Sequence, residues 1–522
     1  MYLLSIYISD NLTEDRICHL LSSESDLTAY LSDDPSEVCI KTLLSQASKL
    51  IRKESMKIIL SFILQKFTAR FSEKHIRIWA GEEVIIPEKV QTVLVCFYSG
   101  SLDISMEYFY DIKVIYRDYY TTDRKSSLAR VHESKTKSDL TAEQCDLINE
   151  AIAMHGECLF AKHSNLEAIS SSGIMSSSSR GLVEEPCIIL YCRVKSIIPF
   201  GEMPFPKRLK VNEAVSIAVD VREGYFSFNA DPRNNDKENR FHHERQELME
   251  PLRMGCSVGP AGRPLSGTMG PIVKINSDRI GFLTCAHVVY CESELFDLTQ
   301  SEPIVLDIVQ PPDNDSSASH YKYSHRLCGR VLHAMFRGDF CPSAAEKFGI
   351  DAAVIEFTSR FPNAGSFVPI EESQLDETGF SFGQPPMFNT GAMLHYPITH
   401  GAQRAVIKIG SESGLTRGLL RLTQGMVRYS TRDGTLRRDN EVRNITMHGL
   451  MEISSASFDN NPFSKHGDSG AGVFLVDDDK KLICVGILIG NLNDRIGIAL
   501  PIDKILTAIN SGNDLQIQLK EF

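Results

Sequence analysis

The stretch "SKHGDSGAGVFLV", Ser464 to Val476, sets one serine between an acidic residue and a glycine and then runs into a strand-like apolar segment. A glycine-flanked serine is most often part of a turn. It becomes a candidate nucleophile when the chain also supplies an imidazole to take the hydroxyl proton, a carboxylate to hold that imidazole, and N–H groups aimed at the developing oxyanion. "GFLTCAHVV" places His287 after an apolar strand, whose end aims a side chain into a cleft. "GIDAAVIEF" places Asp351 at the head of another apolar run, where a paired carboxylate can be buried. Each residue alone has an ordinary structural reading. Their joint occurrence, in the order His, Asp, Ser, points to acyl transfer by a serine.

On these residues the segment from about Gly255 to the C-terminus resembles the chymotrypsin-like (trypsin-fold) serine proteases, through "TCAHVV", "IDAAVIEF" and "HGDSGAGVF" in that family's chain order. Four further pieces resemble the non-secreted, bacterial-type branch. "SGTMGPIVKI" looks like its opening strand and "IKIGSESGLTRGLL" like the glycine-punctuated hairpin of its second barrel; "ICVGILIG" and "RIGIALPIDKIL" look like the two strands after the nucleophile. The resemblance covers about half the chain. It implies two six-stranded antiparallel barrels, about 255–375 and 385–510, with the site in the cleft between them. It also implies roles: Ser469 attacks the scissile carbonyl, His287 takes and then returns the proton, and Asp351 fixes the imidazole. The backbone N–H groups of Gly467 and Ser469 form the oxyanion hole, and glycine at 467 frees the backbone for the turn this needs.

Departures from the family are informative. Secreted digestive members carry a disulfide-forming cysteine directly after the histidine, whereas Val288 stands there in this chain and Cys285 lies earlier. No "IVGG"-like start is evident, so the aspartate before the nucleophile, Asp468, is expected to find an internal partner without zymogen cleavage. Phe463, six residues before Ser469, stands where an acidic residue selects Arg or Lys in trypsin-like members. With no countercharge there, cleavage after basic residues is not expected as the main activity. Phe463 and Asn491 are the expected substrate-pocket residues.

The whole chain bounds these readings. Its 522 residues allow several domains, and 55 basic against 67 acidic residues give a net charge of −12 without a dominant basic block, which disfavours general nucleic-acid binding. Its 13 cysteines show no spacing of a disulfide framework or zinc site and read as buried or free thiols. The N-terminus lacks a positive leading region and no apolar run approaches a membrane span. An intracellular, cytoplasmic setting follows, with no cofactor, no metal, no nucleic acid and no membrane partner; the partner is a protein or peptide substrate.

Upstream, residues 1–140 read as an α+β region of undisclosed function, with amphipathic helices in Glu37–Phe71 followed by the strand-like "QTVLVCFYSG" and "DIKVIYRDYY". Residues 141–228 read as a small α/β module in which the serine-rich "SSSGIMSSSSRG" is a flexible loop. Residues 229–253 read as a charged linker, whose His242, His243 and Glu244 lack any further ligand motif. The fold class is therefore mixed: an all-β, chymotrypsin-like double barrel over 254–522, preceded by α+β regions. The function read from the residues is an intracellular serine endopeptidase whose N-terminal half regulates the site or recruits a protein to it. The competing reading is a catalytically silent pseudoprotease that serves as an interaction scaffold.

Overall fold

The computed structural model describes residues 12–70, 76–86, 89–98, 106–118, 121–123, 126–129, 140–177, 181–228, 244–298, 303–343, 346–395, 404–430, 444–456, 461–493, 495–512 and 514–522. The helices expected near the N-terminus are present as Glu37–Lys49 and Lys53–Ala69. Each buries residues three or four apart, Ile40, Leu43 and Ala47 in one and Ile59, Ile63 and Phe67 in the other, which is the one-sided pattern of an amphipathic helix. With Glu14–Leu20 and Glu24–Ser32 they share a core with a five-stranded sheet, ordered Tyr108–Phe109, Ile112–Asp118, Lys89–Tyr98, Ile76–Ile86, Ile197–Pro199. The last strand comes from the following module, pairing Gly81 with Pro199 and Glu83 with Ile197.

That module opens with the helix Ala142–Lys162, whose start is a reciprocal cap between Thr141 and Gln144. The serine-rich segment departs from its expected loop character. Leu166–Ser177 is a strand paired along its length with Gly181–Cys192, because its hydroxyls are satisfied inside the sheet. Ser170 Oγ donates to Glu452 Oε2 at 2.7 Å, and Ser176 donates through both N–H and Oγ to the Asp220 carboxylate at 2.8 and 2.6 Å. The module's strands continue directly into the C-terminal half: Ile169 lies opposite Met426 and Ala168 opposite Val427.

Beyond Met254 strands predominate, as the short β-branched runs imply. Eight of them, Gly267–Thr268, Ser257–Pro260, Asp307–Val309, Leu327–Ser343, Glu346–Phe357, Arg279–Thr284, Ile272–Ile275 and Ile517–Leu519, form one sheet in that order. The last is the C-terminal strand, which covers the outer edge of Ile272–Ile275. In the second sheet, Arg404–Gly410 pairs with Gly472–Val476, which is followed in order by Leu482–Leu492, Ile496–Pro501, Asn444–Ser455 and Gly414–Ser430. The last of these pairs back with Arg404–Gly410, so the ladder of these six strands returns to its start. The helix Ile502–Ser511 packs Ile502, Ile505, Leu506 and Ile509 into the shared core.

Part of the expected linker is also packed. His242 and His243 lie outside the described residues, but Arg245 and Gln246 are buried. Arg245 donates to the Ser411 and Glu412 carbonyls, and Gln246 Nε2 to Glu412 Oε1 at 2.7 Å. Arg245 and Gln246 thus dock this segment onto the 411–413 turn.

Arg222 is fully buried in the upstream module, with Nε 2.8 Å from Asp220 Oδ2. Removing one partner of a buried ion pair leaves the other charge uncompensated. Arg222→Leu is expected to destabilise the fold by about 3–5 kcal/mol, read as a lowered urea midpoint. Because the sheet is shared, the transition should be lowered for near-UV signals of the C-terminal half as well.

Candidate active site

His287 sits in the one-turn helix Ala286–Val289 that follows the Arg279–Thr284 strand, and Asp351 lies within Glu346–Phe357, the neighbouring strand of the same sheet. Ser469 lies in the loop before Gly472–Val476, in the other sheet. The structure brings all three together. Asp351 Oδ2 is 2.5 Å from His287 Nδ1 and Asp351 Oδ1 accepts the His287 N–H at 3.2 Å; His287 Nε2 is 2.8 Å from Ser469 Oγ. One ring nitrogen is thus held by the carboxylate while the other faces the hydroxyl. Ser469 Oγ also lies 2.9 Å from the Ile489 carbonyl, so its single proton has two acceptors to choose between.

The loop that carries the serine is pinned from several sides. Asp468 points inward and its carboxylate accepts from Lys408 Nζ at 2.8 Å, Ser413 Oγ at 2.6 Å, and the N–H groups of Lys465, Glu412 and Ser413 at 2.8, 3.0 and 3.1 Å. Burial alone drives this carboxyl's pKa up, but Lys408 and then Ser413 and the Lys465 N–H outweigh it and hold the group below its ordinary value. The expected internal partner of Asp468 is therefore Lys408. From the other sheet, the Thr268 N–H donates to the Ser469 carbonyl at 2.7 Å, and the Thr268 and Ser411 hydroxyls each donate to the Gly467 carbonyl at 2.8 Å.

Gly467 has φ +99°, a conformation open to glycine, and a Cβ there would lie 2.3 Å from Glu412 Cγ. Among the described residues the N–H groups of Gly467 and Ser469 have no hydrogen-bond partner. They are available to an incoming oxygen.

Phe463 and Asn491 flank this loop, but both are buried. The Phe463 ring is closely approached by Gly418 and Gly497, and Lys408 Nζ lies 5.8 Å from its centroid. Asn491 Nδ2 donates to the Ser464 carbonyl at 3.1 Å while its Oδ1 accepts the Ser464 hydroxyl. Cys285, His287 and Asp351 offer metal-type donor atoms within 4.8 Å of one another. Burial pushes the Cys285 thiol well above its ordinary value, so it stays protonated and donates to the Leu488 carbonyl at 3.2 Å, a poor donor set for an ion.

Two residues escaped the sequence reading. Lys408 carries a visible signal, a lone lysine in the apolar run "AVIKIG". Phe228 carries none; its ring, from a strand of the upstream module, stacks on His287 at 4.2 Å between centroids and 21° between planes. With it in place His287 is 5% exposed and Ser469 and Asp351 are 0% exposed.

No family model and no curated protein matches this chain. Solved structures do. Thermobifida fusca protease A aligns at 14% identity and a TM-score of 0.28, covering 52% of this chain and 99% of its own. A glutamic acid-specific serine protease that uses a histidine triad in substrate binding aligns at 14% identity and 0.28, covering 51% and 100%. A Cellulomonas bogoriensis chymotrypsin aligns at 14% identity and 0.28, covering 52% and 99%.

The Asp468 pair gives a pH signature. A carboxyl whose folded-state pKa is depressed contributes stability above its unfolded value, about 3.9, and that contribution disappears as pH falls through the folded value. The stability gap between wild type and the double variant Lys408→Met/Asp468→Asn should therefore narrow as pH is lowered from about 5 toward 2. Lys408→Met alone leaves a buried carboxylate unmatched and should be the less stable variant at pH 7, by about 3–5 kcal/mol relative to wild type. Chemical denaturation at several pH values checks both.

Proposed function

We propose that this chain is a serine endopeptidase, with residues 254–522 as a trypsin-like protease part of two β-barrels and the N-terminal half regulating it or recruiting proteins to it. The observation that carries this reading is the hydrogen-bonded series Asp351–His287–Ser469, in which the two imidazole nitrogens face opposite partners. The available N–H groups of Gly467 and Ser469, beside a serine loop fixed by Asp468, support it further.

In this reading Ser469 Oγ adds to the carbonyl carbon of the scissile peptide while His287 Nε2 takes the hydroxyl proton. The carbonyl electron pair moves to oxygen, where the Gly467 and Ser469 N–H groups stabilise it. Collapse breaks the C–N bond, and the imidazolium gives its proton to the leaving amine. Water, deprotonated by the same nitrogen, then releases the acyl group from Ser469. Asp351 holds the ring in the tautomer with Nδ1–H and stabilises the charged form.

Substrates are proteins or peptides, in a reducing intracellular compartment. Phe463 offers no countercharge to a basic side chain. Cleavage after Arg or Lys is accordingly disfavoured.

A second reading, a silent interaction scaffold on the same fold, draws on the burial of Ser469 and His287. Fluorophosphonate labelling with a Ser469→Ala control separates the two: labelling that depends on Ser469 supports the enzyme. On the enzyme reading, Ser469→Ala, His287→Ala and Asp351→Asn each lower peptide turnover about 10³-fold or more. A peptide library cleaved chiefly after Arg or Lys would contradict the assignment of the pocket.

A further inference from the structure

One edge of the Leu482–Leu492 strand is occupied in sequence by different partners. Gly472–Val476 pairs with Leu482 to Ile487. At Leu488 the partner is the backbone of Gly470 and Ala471, through two hydrogen bonds of 2.9 Å, and at Ile489 it is Ser469 Oγ at 2.9 Å. From Gly490 to Leu492 the edge is taken by Phe226–Phe228, antiparallel, with Phe228 opposite Gly490, Ser227 opposite Asn491 and Phe226 opposite Leu492. The other edge is filled by Ile496–Pro501, so Phe226–Phe228 lies on the side of the nucleophile.

The direction of this segment matters. Being antiparallel to a strand that leads away from Ser469, it runs toward Ser469, which is how the acyl side of an extended peptide approaches a nucleophile. Its last residue places a ring flat on His287, among Tyr429 at 4.4 Å, Phe226 at 5.1 Å and Phe336 at 6.1 Å between centroids. The seat is shaped for a close main chain, since a Cβ on Gly490 would come within 2.3 Å of the Ser227 carbonyl oxygen. The segment is tethered behind by Tyr225, which exchanges hydrogen bonds of 2.9 and 3.0 Å with Asn493. Yet Ser227 Oγ is buried with no hydrogen-bond partner among the described residues, an unfavourable arrangement for a segment serving only to build the sheet.

We propose that Phe226–Phe228 is a substrate-like strand bound in cis. It occupies the edge Gly490–Leu492 that an extended polypeptide needs, closes the site while it stays, and marks with Phe228 a position where substrates present an aromatic side chain to His287. This rests on the serine-protease reading above and adds to it the means of control and a feature of the substrate.

The test is the rate of fluorophosphonate labelling of the full-length chain, with circular dichroism and thermal unfolding confirming the fold of each variant. Phe228→Ala and Ser227→Pro, which remove the stacked ring and a strand N–H, should label at least tenfold faster than wild type. Phe228→Tyr, which keeps the ring, should label at the wild-type rate, and Phe228→Leu, which keeps an apolar side chain without the ring, should fall between. A synthetic peptide of sequence REGYFSF, residues 222–228, should slow labelling of the opened variants, and the same peptide ending in alanine should not. Equal labelling of wild type and all variants would overturn the cis strand and leave the hydrolase reading intact. Absence of labelling in every folded variant would overturn the hydrolase reading itself.

Discussion

Burying a carboxylate is unfavourable by several kcal/mol unless its lone pairs are met, and Asp468 meets that condition with five donors drawn from two short segments. The consequence is geometric. Lys408, Glu412 and Ser413 belong to the hairpin that starts the second sheet, so the ion pair ties the serine loop to the hairpin turn and leaves little freedom to the backbone at Gly467 and Ser469. The cation is an internal lysine, Lys408. The loop is held in place by groups already within the folded chain.

The site itself is a seam. Asp351 is fixed by a strand of one sheet and His287 by the one-turn helix at the end of its neighbouring strand, Ser469 by a loop of the other sheet, and the Thr268 N–H to Ser469 carbonyl bond crosses between them. Pinning a backbone carbonyl is a different device from pinning a side chain: it sets the height of the Ser469 main chain relative to the imidazole, while the hydroxyl is held separately between His287 and the Ile489 carbonyl. The upstream module enters the same seam by continuing the second sheet. Its strands therefore reach the reactive groups through main-chain pairing and not through a flexible tether.

Much of this was legible in the amino-acid sequence where local chemistry decides structure. The helices around Leu43 and Ile63 follow from apolar spacing, and the three side chains of the candidate site stand out because their flanking strands are apolar and glycine-punctuated. The serine-rich strand was not legible. Serines at 170–177 carry no hydrophobic period, and what makes them a strand is a glutamate nearly three hundred residues later, Glu452, and Asp220, two strands away in the same sheet. Arg245 and Gln246 were hidden for the same reason, since a charged segment reads as solvated until its acceptors at 411 and 412 are known. Lys408 lay in plain view, but with Val406, Ile407 and Ile409 all buried the run has no alternation by which to tell its inward side. Phe228 was unreadable because its partner is the imidazole of a one-turn helix about sixty residues later.

The pairing of Leu166–Ser177 with Gly414–Ser430 also bears on how the two halves of the chain depend on each other. An interior strand that loses its neighbour becomes an exposed edge, with unpaired N–H and C=O groups beside apolar side chains such as Met426 and Val427. Such an edge recruits other strands, including copies of itself. The upstream module thus acts as an edge guard, and severing it would leave an edge prone to self-association.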